Sequence, residues 1–466
     1  MGLAEALAVL MVAAVCVALF AGYPAALTLG GISLAFAWIG HLAGVMDLAL
    51  LGALPQRIFA VMTNEVLLAI PLFIFMGVML ERSHIAEELL ESMGRLFGTL
   101  PGGLGISVLL VGVLLAAAKG VVGATTVTIG LIMLPTMLRH GYDPRLAAGT
   151  VAATATLAQI FPPATVLVLL GDQMSNAYQS AQLAQGIFAP QSVTVSDLFA
   201  GAIIPGLALV ALYLVYLVTV AALYPQASPA LSGTRSASGA SVLLQLVLKQ
   251  LIAPILLILI VIGSIFAGLT TPTEAAAAGA VGAIALAALR LDHRQLARVF
   301  VPVMARTTQM TSMIFLILIG ATLFSLVFRG LRGDDMVERA LTGLPGGTAA
   351  AIAVVMLAVF LLGFVMDAFE IIFVVVPIVA PVLLKMPAVD PVWLAILLAV
   401  NLQTSYMHPP LGPTLFFLRG VAPPEITTAH IYVGIIPFVL IQLVALVVLW
   451  LAPALATWLP HKLYGG

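Results

Sequence analysis

The chain has 466 residues, 62% hydrophobic and 8% charged, with a net charge of −1. Its mean hydropathy is +1.20, and a soluble domain carries roughly 25% charged residues, so the expected class is an all-α polytopic membrane protein. No basic surface is available for nucleic acid, and a single cysteine, Cys16, excludes an internal disulfide framework.

In chain order, 3–20 and 25–46 read as two spans parted by Gly22-Tyr23-Pro24. The first lacks a basic n-region and is expected to be a span rather than a cleaved leader. Gln56, Arg57, Asn64 and Glu65 form a polar stretch before a span at 66–80. Over 81–100, charges interleave with Ile85, Leu89, Met93 and Leu96 at helical spacing, which predicts an amphipathic helix along the interface. Leu100-Pro-Gly-Gly ends it, and a span follows at 104–118. Residues 116–140 place two glycines and a threonine-rich centre in an apolar stretch barely long enough to cross twice. A re-entrant hairpin is expected there. A Pro-broken helix over 145–172, a polar loop at 174–197 and a span at 198–222 complete the first half.

Residues 225–241 are rich in Ser, Ala, Gly and Pro, so 223–245 is read as a linker between a first repeat, 1–222, and a second, 246–466. The second half replays the first: a span at 250–268, Thr271-Pro-Thr-Glu274, a basic stretch at 290–300 and a span at 309–327. Residues 329–343 are amphipathic, and Leu-Pro-Gly-Gly recurs at 344–347. A span at 349–362, a hairpin expected at 363–385, a broken helix over 391–420 and a last span at 430–456 follow. Four landmarks recur in the same order, which predicts two internal repeats, read as inverted. The basic clusters do not fix absolute orientation, because 55–64 reads equally well as crossing or not.

The sharpest signal is a pair of matching breaks. An Asp-Pro pair is followed 19 residues later by Pro-Pro in both halves: Asp143 to Pro162-Pro163, and Asp390 to Pro409-Pro410. The last turns before the prolines become polar, with Thr154, Thr156 and Gln159 in one and Asn401, Gln403, Thr404 and Ser405 in the other. A broken helix in lipid survives only where protein or a water-filled cavity covers it, and paired breaks point to a transport site. The first hairpin tip adds Lys119, Gly120, Gly123, Ala124, Thr125 and Thr126; the second adds Asp367 and Glu370. Glycines admit close approach to backbone, and intramembrane acids mark function by default. The plainer alternatives are threonines bonding to their own helix, Asp367 capping a helix, and Lys119 snorkelling to the interface. Glu274 reads as a cap or a contact to a partner helix. There is no Gly-Lys-Ser/Thr phosphate loop and no His-Glu-x-x-His, so no bond-breaking chemistry is expected and no cofactor is called for.

These motifs resemble the large membrane subunit of tripartite ATP-independent periplasmic (TRAP) transporters, of the branch labelled mannitol/chloroaromatic-type. The resemblance rests on 120–150, 157–173, 271–283, 363–371 and 390–423. It implies an elevator-type ion transporter fold in the bacterial inner membrane, taking up an organic acid with sodium as coupling ion, protons being the other candidate. It further implies a small four-helix membrane subunit and a periplasmic substrate-binding protein as partners. The hairpin tips would be 119–126 and 367–370, and the crossings 154–163 and 401–410. A small polar residue is expected where Lys119 stands; a lysine there could take the place of a cation.

Overall fold

The structure, a computed structural model, describes residues 2–83, 93, 97, 100–119, 122–230 and 240–465. Most of the amphipathic stretch expected over 81–100 and the centre of the linker, 231–239, lie outside the described residues. All regular structure among the described residues is helical. Among the described residues, six helices are long and apolar enough to cross a bilayer: α1 (Leu3–Phe20), α2 (Ala25–Leu42), α6 (Val122–Arg139), α9 (Val195–Leu223), α12 (His293–Gly330) and α19 (Thr428–Leu451). The chain is therefore a multi-pass membrane protein by length and composition.

Between these lie α3 (Leu54–Met62), α4 (Ala69–Arg82), α5 (Gly103–Lys119), α7 (Pro144–Thr156), α8 (Thr165–Ala184), α10 (Ala240–Phe266) and α11 (Pro272–Ala288). After α12 come α13 (Gly333–Thr342), α14 (Gly347–Leu362), α15 (Ala368–Val374), α16 (Val376–Leu384), α17 (Pro391–Ser405), α18 (Pro413–Val421) and α20 (Ala454–Tyr464). The repeated Asp-Pro signature is a helix start in both places. Asp143 accepts a hydrogen bond from the Arg145 N–H (2.7 Å) ahead of α7, and Asp390 from the Trp393 N–H (2.8 Å) ahead of α17. Proline follows each cap at a position whose N–H needs no helical partner. Thr271 and Glu274 cap α11 reciprocally, Thr271 N–H to Glu274 Oε2 at 2.8 Å and Glu274 N–H to Thr271 Oγ1 at 3.2 Å, so Glu274 is a structural residue.

Two expectations need correction. Residues 116–140 do not fold as a hairpin by themselves: 122–139 is one continuous helix, with Pro135 accommodated inside it. α5 ends at Lys119 and α6 begins at Val122, and the two pack against each other. The stretch read as a separate span at 104–118 is thus the first arm. The same holds in the second half, where α14 packs against α16 and the turn lies at 363–367, so 363–385 supplies only the second arm. Apolar runs without internal charges give no sequence mark for where an arm begins.

The chain forms two compact units. The first comprises Met1–Leu68, Leu169–Val195 and Gln309–Leu398. In it α1 packs on α2 and α13, and α13 packs on α14 and α16. Glu5 pairs with Arg339, and the Lys385 ammonium with Glu338 at 2.8 Å. Gly320 lets α12 approach α2, since a Cβ there would lie 2.5 Å from the Ala26 carbonyl oxygen.

The second unit comprises Ala69–Val168, Ser196–Thr308 and Ala399–Gly466. Its core is built on small residues. The buried face of α11 is Ala275, Ala276, Gly279, Ala280 and Ala283, and it packs on α4 with Gly279 against the Met76 thioether. Such faces let helices approach closely where lipid offers no hydrophobic drive for association. Helices α7 and α19 come closer still: a Cβ at Gly149 would overlap the Gly434 carbonyl, and one at Gly434 would overlap that of Arg145. Nearby, the Gln442 amide Nε2 donates to the Tyr213 hydroxyl at 2.8 Å in a fully buried pair, with the Tyr213 ring edge-on to Phe438.

Candidate site at the paired helix breaks

The second unit contains both Pro-Pro breaks. Helix α7 ends at Thr156, a 3-10 turn covers Leu157–Gln159, and α8 begins at Thr165. Helix α17 ends at Ser405, and α18 begins at Pro413. Both Pro-Pro bonds, Pro162-Pro163 and Pro409-Pro410, are cis. The freed backbone of the second break is bonded locally. The Gly412 N–H donates to His408 O (2.9 Å), the Thr414 N–H to Tyr406 O (3.2 Å), and the Tyr432 hydroxyl to Pro410 O (3.0 Å). Gly412 is required here, because a Cβ would stand 2.5 Å from the Tyr406 carbonyl.

The two breaks meet. The Gln403 amide lies 3.5 Å from the Thr156 hydroxyl, and Thr156 lies 3.7 Å from the Met407 sulfur. Thr156 also donates to Ala153 O at 2.9 Å. Residues Thr154, Thr156, Gln159, Asn401, Gln403, Thr404 and Ser405 are all buried. Thr404 and Ser405 bond back to their own helix, to Val400 O (2.8 Å) and Asn401 O (3.0 Å). By contrast, Thr154 Oγ1, Gln159 Oε1, Thr165 Oγ1, Gln403 Oε1 and Thr414 Oγ1 have no hydrogen-bond partner among the described residues. A buried polar atom left unpaired costs about 1–3 kcal/mol, so each of the five calls for an explanation. All are oxygens, and neutral amide and hydroxyl oxygens are the donor set of a hard monovalent or divalent cation rather than of a soft metal.

The hairpin tip is less open to solute. Thr126 bonds to Val122 O at 2.8 Å, and Thr128 to Ala124 O at 2.9 Å and to Glu81 at 2.6 Å. A Cβ at Gly123 would lie 2.9 Å from the Phe417 ring, and one at Gly130 an equal 2.9 Å from Val421. These glycines, seven residues apart on α6, form the groove that seats α18. Ala124 is half-buried and Thr125 buried beside them. Gly120 and the side chain of Lys119 lie outside the described residues. Asp367 and Glu370 belong to the first unit, where they cap α15: Asp367 Oδ1 accepts from the Ala368 N–H (2.8 Å) and Glu370 Oε2 from the Asp367 N–H (3.2 Å). Sequence reasoning missed Gly112, whose missing Cβ makes room for Thr154 between α5 and α7. It also missed Tyr432, which holds the second break. Neither carries a signal in one sequence, because each depends on a partner far along the chain.

Long apolar helices, paired helical arms, and two interrupted helices that join through buried polar groups define a membrane transport protein. The family described as "DctM: Tripartite ATP-independent periplasmic transporter, DctM component" matches residues 10–455. The chain belongs to that family and is a TRAP large membrane subunit. It is similar to the C4-dicarboxylate TRAP transporter large permease protein of Rhodobacter capsulatus, 28% identical and covering 87% of this chain and 89% of the relative. It is also similar to that of Vibrio cholerae, 26% identical over 95% of each chain. The ectoine/5-hydroxyectoine large permease of Ruegeria pomeroyi is 27% identical, covering 95% and 96%. Among solved structures, the Alcanivorax borkumensis YdaH transporter shares the fold with a TM-score of 0.59 at 16% identity, covering 97% of this chain and 99% of that one.

Proposed function

We propose that the chain is the translocating subunit of a secondary transporter that imports an organic acid across the bacterial inner membrane. In this reading the acid is delivered by a periplasmic substrate-binding protein, and a small four-helix membrane subunit braces the scaffold. Two inverted repeats form an elevator whose moving part carries the hairpins and the broken helices. Sodium is the coupling ion, carried as cargo with the acid. The observation that supports this most is the join of the two breaks through Gln403 and Thr156, together with buried oxygens without donors on residues of both breaks. An ion carried with the substrate would supply the missing partner for such oxygens. The names of relatives support the substrate class: C4-dicarboxylates for two of them and ectoines for a third.

The test is uptake by proteoliposomes containing this chain with its small subunit. Radiolabelled succinate and ectoine are offered with and without the cognate binding protein, under a sodium gradient or a potassium control. Uptake that needs both the binding protein and sodium supports the reading. Uptake without binding protein replaces it with a stand-alone carrier. Sodium-independent uptake that becomes sodium-dependent in Lys119→Thr assigns the cation's place to the Lys119 ammonium instead.

A further inference from the structure

A polar cavity lies wholly within the first unit, away from the paired breaks in sequence. Its volume is about 310 Å³, at the lower end of the range of roughly 300–1,000 Å³ found for small-molecule sites. One wall is α3. Arg57, Val61 and Asn64 follow one another at helical spacing and face the cavity, while Phe59 and Met62 are exposed on other faces of the same segment. The facing wall is a stripe of α12, Thr322, Ser325 and Arg329, spaced three and four residues apart. Two guanidinium groups therefore line one small cavity.

Two like charges in one cavity repel, and only that of Arg329 is offset among the described residues, by its ion pair with Asp334 outside the lining. Among the described lining residues the one carboxylate is Asp172, and both of its oxygens are engaged by amides. Its Oδ1 accepts from the Asn64 amide at 2.7 Å and its Oδ2 from the Gln173 amide at 2.9 Å. Asn64 is itself fixed, because its Oδ1 accepts from the Val66 N–H at 2.9 Å. Arg329 uses Nε on Asp334 at 2.8 Å, so its two Nη groups carry no hydrogen bond among the described residues. Arg57 has no hydrogen bond or ion pair among them either. A planar guanidinium with its donors unspent, opposite a second one, is the recognition unit for a carboxylate.

We propose that this cavity binds the carboxylate of a small organic acid, with Arg57 as the principal grip and the Nη groups of Arg329 closing on the other side. The Ser325 hydroxyl lies on the same wall and supplies a further donor. The proposal rests on the reading of the chain as an organic-acid carrier and adds to it a second carboxylate station, distinct from the paired breaks. Asp172, held by two amides, sets the sign of selection: it repels an acid that approaches from the α8 wall and leaves the arginine side as the favoured pose.

The test labels arginines with phenylglyoxal in the intact chain, reconstituted in phosphatidylcholine nanodiscs, with mass spectrometry reading each site. Potassium succinate is compared with potassium chloride at equal ionic strength. Succinate at tenfold excess over its Kd should slow labelling of Arg57 about tenfold by mass action, with exposed Arg139 unchanged. Arg329→Gln should raise the half-protecting succinate concentration about tenfold, the loss of one charged partner. Equal labelling in succinate and chloride, or equal protection of Arg139, overturns the proposal. So does protection that appears only with phosphatidylglycerol in the disc and ignores succinate, which would make this a lipid headgroup site. Failure here is separable from failure of the transport reading. Uptake without protection removes the cavity alone, and protection without uptake of any acid removes the transport reading alone.

Discussion

Residues 160–164 of the first break are all buried, whereas in the second Pro410 is exposed and Pro409 and Leu411 are half-buried. The first break is sealed by its neighbours, with Gly112 admitting Thr154 and Gly149 admitting α19. The second is closed by its own hydrogen bonds and by Tyr432. The same Pro-Pro device therefore sits in two settings, one fully covered by its neighbours and one reaching the surface. The first break bonds its backbone too, the Ile160 and Phe161 N–H groups donating to Leu157 O at 3.1 Å, and both breaks keep buried oxygens without donors, Thr154, Gln159 and Thr165 at one and Gln403 and Thr414 at the other. Near the surface, the backbone groups are satisfied one by one, because an orphaned carbonyl or N–H costs as much as a lost hydrogen bond.

The largest effect should come from breaching the seal. Gly149→Leu forces a side chain into the Gly434 backbone and should cost about 3 kcal/mol, at the upper end for overpacking. Gly420→Leu, with no neighbour within 4 Å of the new Cβ, should leave thermal unfolding in detergent almost unchanged. Equal midpoints for the two variants would break the comparison. Next come the polar groups where the breaks join. Gln403→Leu removes the link to Thr156 and should reduce uptake by roughly ten- to a hundredfold, the range for leaving a buried partner unpaired. Gln159→Leu should reduce it less if its oxygen meets only the coupling ion, and the loss should appear as a raised sodium requirement in the same assay. A Gln159→Leu protein with unaltered sodium dependence would exclude that role.

Smaller effects sharpen the local picture. Asp143→Ala and Asp390→Ala each remove a helix cap and should lower stability by about 1 kcal/mol, read as matching shifts in the unfolding midpoint. Tyr432→Phe should cost about 0.5–1 kcal/mol, a single hydrogen bond to a carbonyl that water can reach. Its signature is faster amide exchange confined to 408–414, with the first break unaffected. Exchange that rises at 157–165 as well would mean that the two breaks open together.

Much of the framework was legible in one sequence. Asp-Pro marks a cap followed by a proline that needs no hydrogen bond, and Pro-Pro marks a break, since both are local rules. The polar residues beside the breaks were legible for the same reason. What stayed hidden depends on distant partners. Gly112 and Thr154 are far apart in the chain, as are Asn64 and Asp172, and neither pair leaves a periodic trace. Gly123 looked like a place for a ligand to approach backbone, yet its neighbour is the Phe417 ring. The hairpin arms were misplaced because an apolar run between glycines does not reveal which stretch turns back on which. The carboxylates at 367 and 370 answer each other across one helical turn, the capping alternative that a short Asp-x-x-Glu run allows.

The backbone contact between α7 and α19 has a mechanical consequence. With carbonyls of Arg145 and Gly434 nested where side chains would ordinarily stand, α19 cannot slip along α7 by even one residue without driving a Cβ into main chain. The pair is keyed in register like a shaft and slot. Any displacement of the helix leading into the first break must carry α19 with it, and α19 in turn holds the second break through Tyr432. The two interruptions are thus linked through α19, by close backbone contact on one side and by a single hydrogen bond on the other.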